Sequence, residues 1–156
     1  MTNKIRMDLN LWSYQDYVEF LRFFQAGNTA QLFKLAARLL VSWDYEVPLS
    51  EEDPLLNLSV HDSGEVLRTI NQAIQRYIDD MDVSDVKVDF GKWNTKRLLE
   101  FDAARIGGKF EKAQDMLFEI AKLEGVENNQ PLSFPDGSKM FKAVNDAYAK
   151  VISGKN

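Results

Sequence analysis

Along the first dozen residues apolar and polar side chains alternate: Ile5, Met7, Leu9 and Leu11 are separated by Arg6, Asp8 and Asn10. A period of two over so short a stretch predicts a strand or extended arm. The period then changes. Tyr14, Tyr17, Val18, Leu21 and Phe24 recur at intervals of three and four, the stripe of one helix face. Ser13 supplies an N-cap signal, Asp16 an acidic first turn, and Gly27-Asn28 a stop. Leu32, Leu35, Ala36, Leu39, Leu40 and Trp43 predict a second helix, capped by Asn28 or Thr29. A loop carrying Pro48 and Pro54 covers 44–60. Asp62 or Ser63 then caps a third helix with Leu67, Ile70, Ile74, Tyr77 and Ile78 on its inner face.

The pattern restarts at Val86, Val88 and Phe90, which alternate with Lys87 and Asp89. Asn94 caps a fourth helix that stops at Gly107-Gly108. A fifth carries Ala113, Met116, Leu117, Ile120 and Ala121, and Gly125 closes it. After a loop with Pro131 and Pro135, Asp136 caps a sixth helix with Phe141, Val144, Tyr148, Val151 and Ile152 facing inward.

A displacement of 81 lays Asp8 on Asp89, Trp12 on Trp93, Glu19 on Glu100, Phe20 on Phe101 and Gly27 on Gly108. Beyond the first loop the displacement becomes 74, laying Leu58, Ser59 and Asp62 on Leu132, Ser133 and Asp136. The same displacement lays Asn71, Ala73 and Ile78 on Asn145, Ala147 and Ile152. The difference, 81 − 74 = 7, is a seven-residue change in loop length. Chance supplies about four such identities, and these eleven keep the order of parts. The expected fold is therefore all-α, a tandem duplication of a three-helix unit over 1–80 and 81–156. Each unit is introduced by a short extended segment, and the two segments are expected to pair with each other.

Composition narrows the function. With 45% hydrophobic and 12% aromatic residues, 156 residues can fill a core without disulfides or metal. Zero cysteines removes thiol chemistry and Cys-held metals, and a single histidine, His61, removes any multi-His site. The formal charge, 19 − 24 = −5, argues against direct nucleic-acid binding. All of it resides in the first half: 7 bases and 12 acids over 1–80, against 12 and 12 over 81–156. No apolar run approaches the ~20 residues of a membrane span, and no signal-peptide pattern opens the chain. A soluble cytoplasmic protein without membrane contact is expected.

No phosphate-binding glycine loop, nucleophile elbow or His-Glu-x-x-His pattern occurs. The chain therefore reads as non-enzymatic, with no catalytic residue, cofactor or metal, and His61 as a solvated loop residue. Asp44, Glu46, Glu51, Glu52 and Asp53 lack the ligand spacing of a calcium loop and read as a solvated acidic loop. Trp12 and Trp93 are expected to cover the helical cores. Asn71 and Asn145 fall on apolar faces, where each is expected to tie down the preceding loop or meet a partner. The first two helices hold more aromatics than one face can bury. Tyr14, Tyr17 and Phe23 are the candidates for a protein-binding patch.

The succession Trp12, Glu19-Phe20, Gly27, Trp43-Asp44, Pro48 resembles the small helical proteins of tailed bacteriophages, notably tail-assembly chaperones and associated morphogenesis proteins. The second copy repeats Trp93, Glu100-Phe101 and Gly108 but has Glu124-Gly125 at the Trp-Asp turn. The resemblance implies a non-enzymatic binder of tail components such as a tape-measure protein, acting in the host cytoplasm. Two readings stand side by side. One is an assembly factor binding through Tyr14, Tyr17 and Phe23. The other is an acidic phage-encoded inhibitor of a host nucleic-acid-binding complex, binding through Asp44, Glu46, Glu51, Glu52 and Asp53. Both require a protein partner, and both leave a homo-oligomer open.

Overall fold

The computed structural model describes residues 4–154, so the outer ends of the expected 1–80 and 81–156 units lie outside the described residues. The chain is all-α with small antiparallel sheet additions. Its order is β1 (Ile5–Met7), α1 (Tyr14–Ala26), α2 (Thr29–Ala37), β2 (Leu40–Trp43), α3 (Val60–Asp79), β3 (Lys87–Val88), α4 (Thr95–Ile106), α5 (Phe110–Ile120), β4 (Ala121–Lys122) and α6 (Phe134–Ser153). Short 3-10 turns lie at Leu9–Leu11 and Pro54–Asn57.

The repeat holds at the level of single bonds. α1 and α4 begin 81 residues apart, as do α2 and α5, while the 20-residue helices α3 and α6 begin 74 apart. The Asp8 amide donates to the Leu39 carbonyl at 2.9 Å, and the Asp89 amide donates to the Ile120 carbonyl at 2.8 Å. Gly27 and Gly108 both take left-handed φ values, 69° and 75°, which let the chain turn sharply between helices.

Pairing differs from the sequence expectation. β1 pairs with β2 (Met7 opposite Leu40) and β3 with β4 (Val88 opposite Ala121), so each extended segment is satisfied by its own repeat. The second helix consequently stops at Ala37, and Leu40–Trp43 is strand. The helical spacing of Leu39, Leu40 and Trp43 is coincidental there: an edge strand needs a backbone partner, and this segment supplies it.

Helix starts also shift. Ser59 and Ser133 cap α3 and α6, their hydroxyls accepting the amides of Asp62 and Asp136 at 3.0 and 3.2 Å. Asp62, Ser63 and Asp136 lie inside the first turns instead. Asn28 and Asn94 cap α2 and α4 as expected. Gly125 does not close α5; it turns the chain after β4, with φ 82°.

The chain forms two compact units: residues up to Trp12 with Asp16–Asp80, and Ser13–Gln15 with the residues from Met81 on. In the first, buried Trp12 donates its indole N–H to the Leu35 carbonyl at 2.9 Å and lies 5.1 Å from Phe20. Leu39, Val66, Ile70 and Ile74 are buried in the same unit. In the second, Trp93 lies 5.5 Å from Phe101, which stacks on Phe141 at 5.8 Å. The apolar stripe of α6 outlasts this core. Val144 is buried, but Tyr148, Val151 and Ile152 are exposed, contrary to the inward face expected for them.

Candidate functional site

A concavity lies at the N-terminal end of α4. It is an open cleft of about 490 Å³ lined by Lys92, Trp93, Asn94, Lys96, Arg97, Glu100 and Glu119. Asn94 begins it, because its side-chain oxygen caps α4 by accepting the Arg97 amide at 2.9 Å. One helical turn further on, Arg97 spreads its guanidinium 6.0 Å from the centre of the Trp93 ring. Its Nη1 donates to Glu100 at 3.0 Å and its Nη2 to Glu119 at 2.5 Å. The Trp93 indole N–H donates to the other oxygen of Glu119 at 3.1 Å.

These bonds set the electrostatics. The Arg97 guanidinium first, and the Trp93 N–H after it, hold the Glu119 carboxyl below its ordinary value. Arg97 is pushed up in turn, chiefly by Glu119. A carboxylate so held is a poor proton donor near neutrality. Both glutamates are committed to Arg97, and the exposed ammonium groups of Lys92 and Lys96 give the cleft a cationic rim. The arrangement pins α4 to α5 and offers an indole face; it does not assemble an acid–base pair.

The same pin exists in the first unit with its charges exchanged. Asp16 stands 81 residues before Arg97 and Arg38 stands 81 before Glu119, and Arg38 grips Asp16 through two bonds of 3.3 and 3.1 Å. Sequence reasoning passed over this pair because it compared identities. A double reversal of charge at one displacement was visible and would have found it.

The residues proposed from sequence are dispersed. Tyr14 belongs to the second unit, where its ring stacks on Phe141 at 4.6 Å. Tyr17 and Phe23 are half-buried in the first unit, and burial pushes the Tyr17 hydroxyl above its ordinary value. Phe24, rather than Phe23, is open to solvent at 55%, with Leu21 exposed one turn before it. Asp44, Glu46, Glu51 and Glu52 are exposed and Asp53 is half-buried. Asp44 accepts the Lys4 amide at 3.3 Å and Glu51 accepts from Asn57 at 3.2 Å. Among the described residues no lysine or arginine pairs with these five acids, and no three acids gather closely enough to hold a metal. His61 is exposed. Asn145 is exposed too and accepts from Arg105 at 3.3 Å, so it steadies a guanidinium over Phe101 rather than tying the preceding loop.

Fold and site together define an all-α protein of two helical repeats. No protein-family model, curated protein or solved structure matches the chain. Among the described residues no helix is long and apolar enough to cross a membrane.

Proposed function

We propose that the chain is a non-catalytic protein-binding factor that meets its partner through the 44–60 segment of the first unit. The observation that carries this reading is the mixture displayed there. Four exposed acids, with no lysine or arginine paired to them among the described residues, share one stretch with Leu56, 53% exposed, and Val60, 90% exposed. Binding surfaces combine apolar anchors with a charged rim, and the charge steers encounter. The partner so selected has a basic surface, as nucleic-acid-binding proteins do. The chain then acts as an acidic inhibitor or regulator of such a protein in the cytoplasm.

The test is capture of partners from the native host by the full chain and by Glu46→Gln/Glu51→Gln/Glu52→Gln. The reading expects one partner to be lost with the neutralised chain and released by raised salt. Equal recovery by both chains refutes it. A second reading, the assembly chaperone, is favoured by the exposed pair Leu21 and Phe24 on α1. It expects Phe24→Ser to lose the partner while the neutralised chain keeps it.

A further inference from the structure

We propose that Ser13–Gln15 is the closing segment of the second unit. A unit otherwise built from residue 81 onward then takes its stability from three residues encoded far ahead of it.

The groove that receives the segment is built in advance. Gln114 accepts the Leu132 amide at 3.1 Å, and its own amide nitrogen donates to Asn128 and to the Gln130 carbonyl at 2.8 Å each. Leu132 is thereby fixed with its carbonyl turned outward, and the Tyr14 amide donates to it at 3.0 Å. Ser13 completes an antiparallel bridge with Ser133, the residue that caps α6. A backbone register of this kind fixes where the Tyr14 side chain must go.

It goes onto the aromatic core. The Tyr14 ring lies 4.6 Å from Phe141 with 10° between planes, and Phe141 lies 5.8 Å from Phe101 with 8° between planes, a continuous stack of three rings. Access depends on Gly137. A Cβ there would fall 2.4 Å from the Tyr14 Cβ and 2.5 Å from its Cγ. The first unit has Ser63 at the position matching Gly137, and the second has Thr95 at the position matching Tyr14. The Gly–Tyr pairing is thus a feature of this one unit and not of the repeat in general.

Two measurements on the full chain test the proposal. In Tyr14→Ser, amide hydrogen exchange across β3, β4 and the first turns of α6 is expected to accelerate at least tenfold, with little change in α2 and α3. Loss of protection confined to residues 16–80, or no loss, overturns it. The second measurement does not depend on weakening the fold. The chain has no cysteine, and partners in an antiparallel bridge lie within reach of a disulfide. Ser13→Cys/Ser133→Cys is expected to oxidise within one chain and, once oxidised, to exchange more slowly in the second unit than the same variant in its reduced form. Failure to oxidise, or bonds formed solely between two chains, overturns the proposal.

Discussion

Replacing Gly137 by alanine sets two effects of known size against each other. In a helix interior the change from glycine to alanine stabilises by about 1 kcal/mol, because the unfolded chain loses freedom. At Gly137 the added methyl meets Tyr14 at 2.4, 2.5 and 2.8 Å, well inside the ~3.5–4.0 Å of an ordinary carbon contact. Tyr14 must then move by about 1 Å or more, straining a packed site by about 1–3 kcal/mol. It also weakens a ring stack worth about 0.5–1.5 kcal/mol. The clash wins, and a net loss of about 1–3 kcal/mol is expected. Gly64 in α3 is the control: nothing lies within 4 Å of an added Cβ, so Gly64→Ala should gain about 0.5–1 kcal/mol. Urea midpoints followed by circular dichroism compare the two. If Gly137→Ala stabilises as Gly64→Ala does, Tyr14 is not seated against α6 and the reasoning fails.

The exchanged charge pair makes a second comparison. Arg97→Asp is expected to lower the midpoint, and Arg97→Asp/Glu119→Arg, which copies Asp16 and Arg38, to recover most of the loss; independent, additive effects in this cycle would refute a shared pin. The Glu119 carboxyl sits below its ordinary value of 4.5 in the folded chain. Its contribution is therefore fully present above that value and fades as pH falls through the lower folded value, and Glu119→Gln should flatten the acid limb of a stability-versus-pH curve. Ser59→Ala and Ser133→Ala should each cost about 1 kcal/mol, since each leaves a helix amide without its acceptor. Asp62→Asn, inside the first turn, should cost less on the same denaturation curve.

What could be read beforehand follows from which forces are local. Helix stripes repeat every three to four residues, so both displacements, 81 and 74, were legible and set the starts of all six helices to within a few positions. Strand pairing is not local. Leu39, Leu40 and Trp43 continue a helical spacing, and only the need of β1 for a partner turns Leu40–Trp43 into strand. The α6 stripe was legible as apolar but not as exposed, because the length of a helix says nothing of where its core ends. Tyr14 was read with its neighbours in sequence, whereas its ring belongs with Phe141. Of the candidate surfaces, the acidic stretch needed only charge to be noticed, while the Trp93 cleft depended on a contact between α4 and α5.

The Asp16–Arg38 and Arg97–Glu119 pairs show what this repeat constrains. Both join the first turn of the leading helix to the C-terminal end of the second helix, at matching positions, with opposite polarity. One charge reversed alone would place like charges face to face, so the two positions can exchange sign only together. The surviving constraint is therefore a link between two places and not the identity of either residue. The indoles tell the same story: Trp12 and Trp93 each pack on the matching phenylalanine, yet one indole N–H donates to the Leu35 carbonyl and the other to Glu119. Packing partners are kept where volume must be filled, and polar partners are free to change once geometry supplies another acceptor. By this logic a surface under no packing constraint, such as the stretch whose five acids compare with Glu124 and Glu127 alone in the second-copy loop, is where the two repeats are free to acquire different partners.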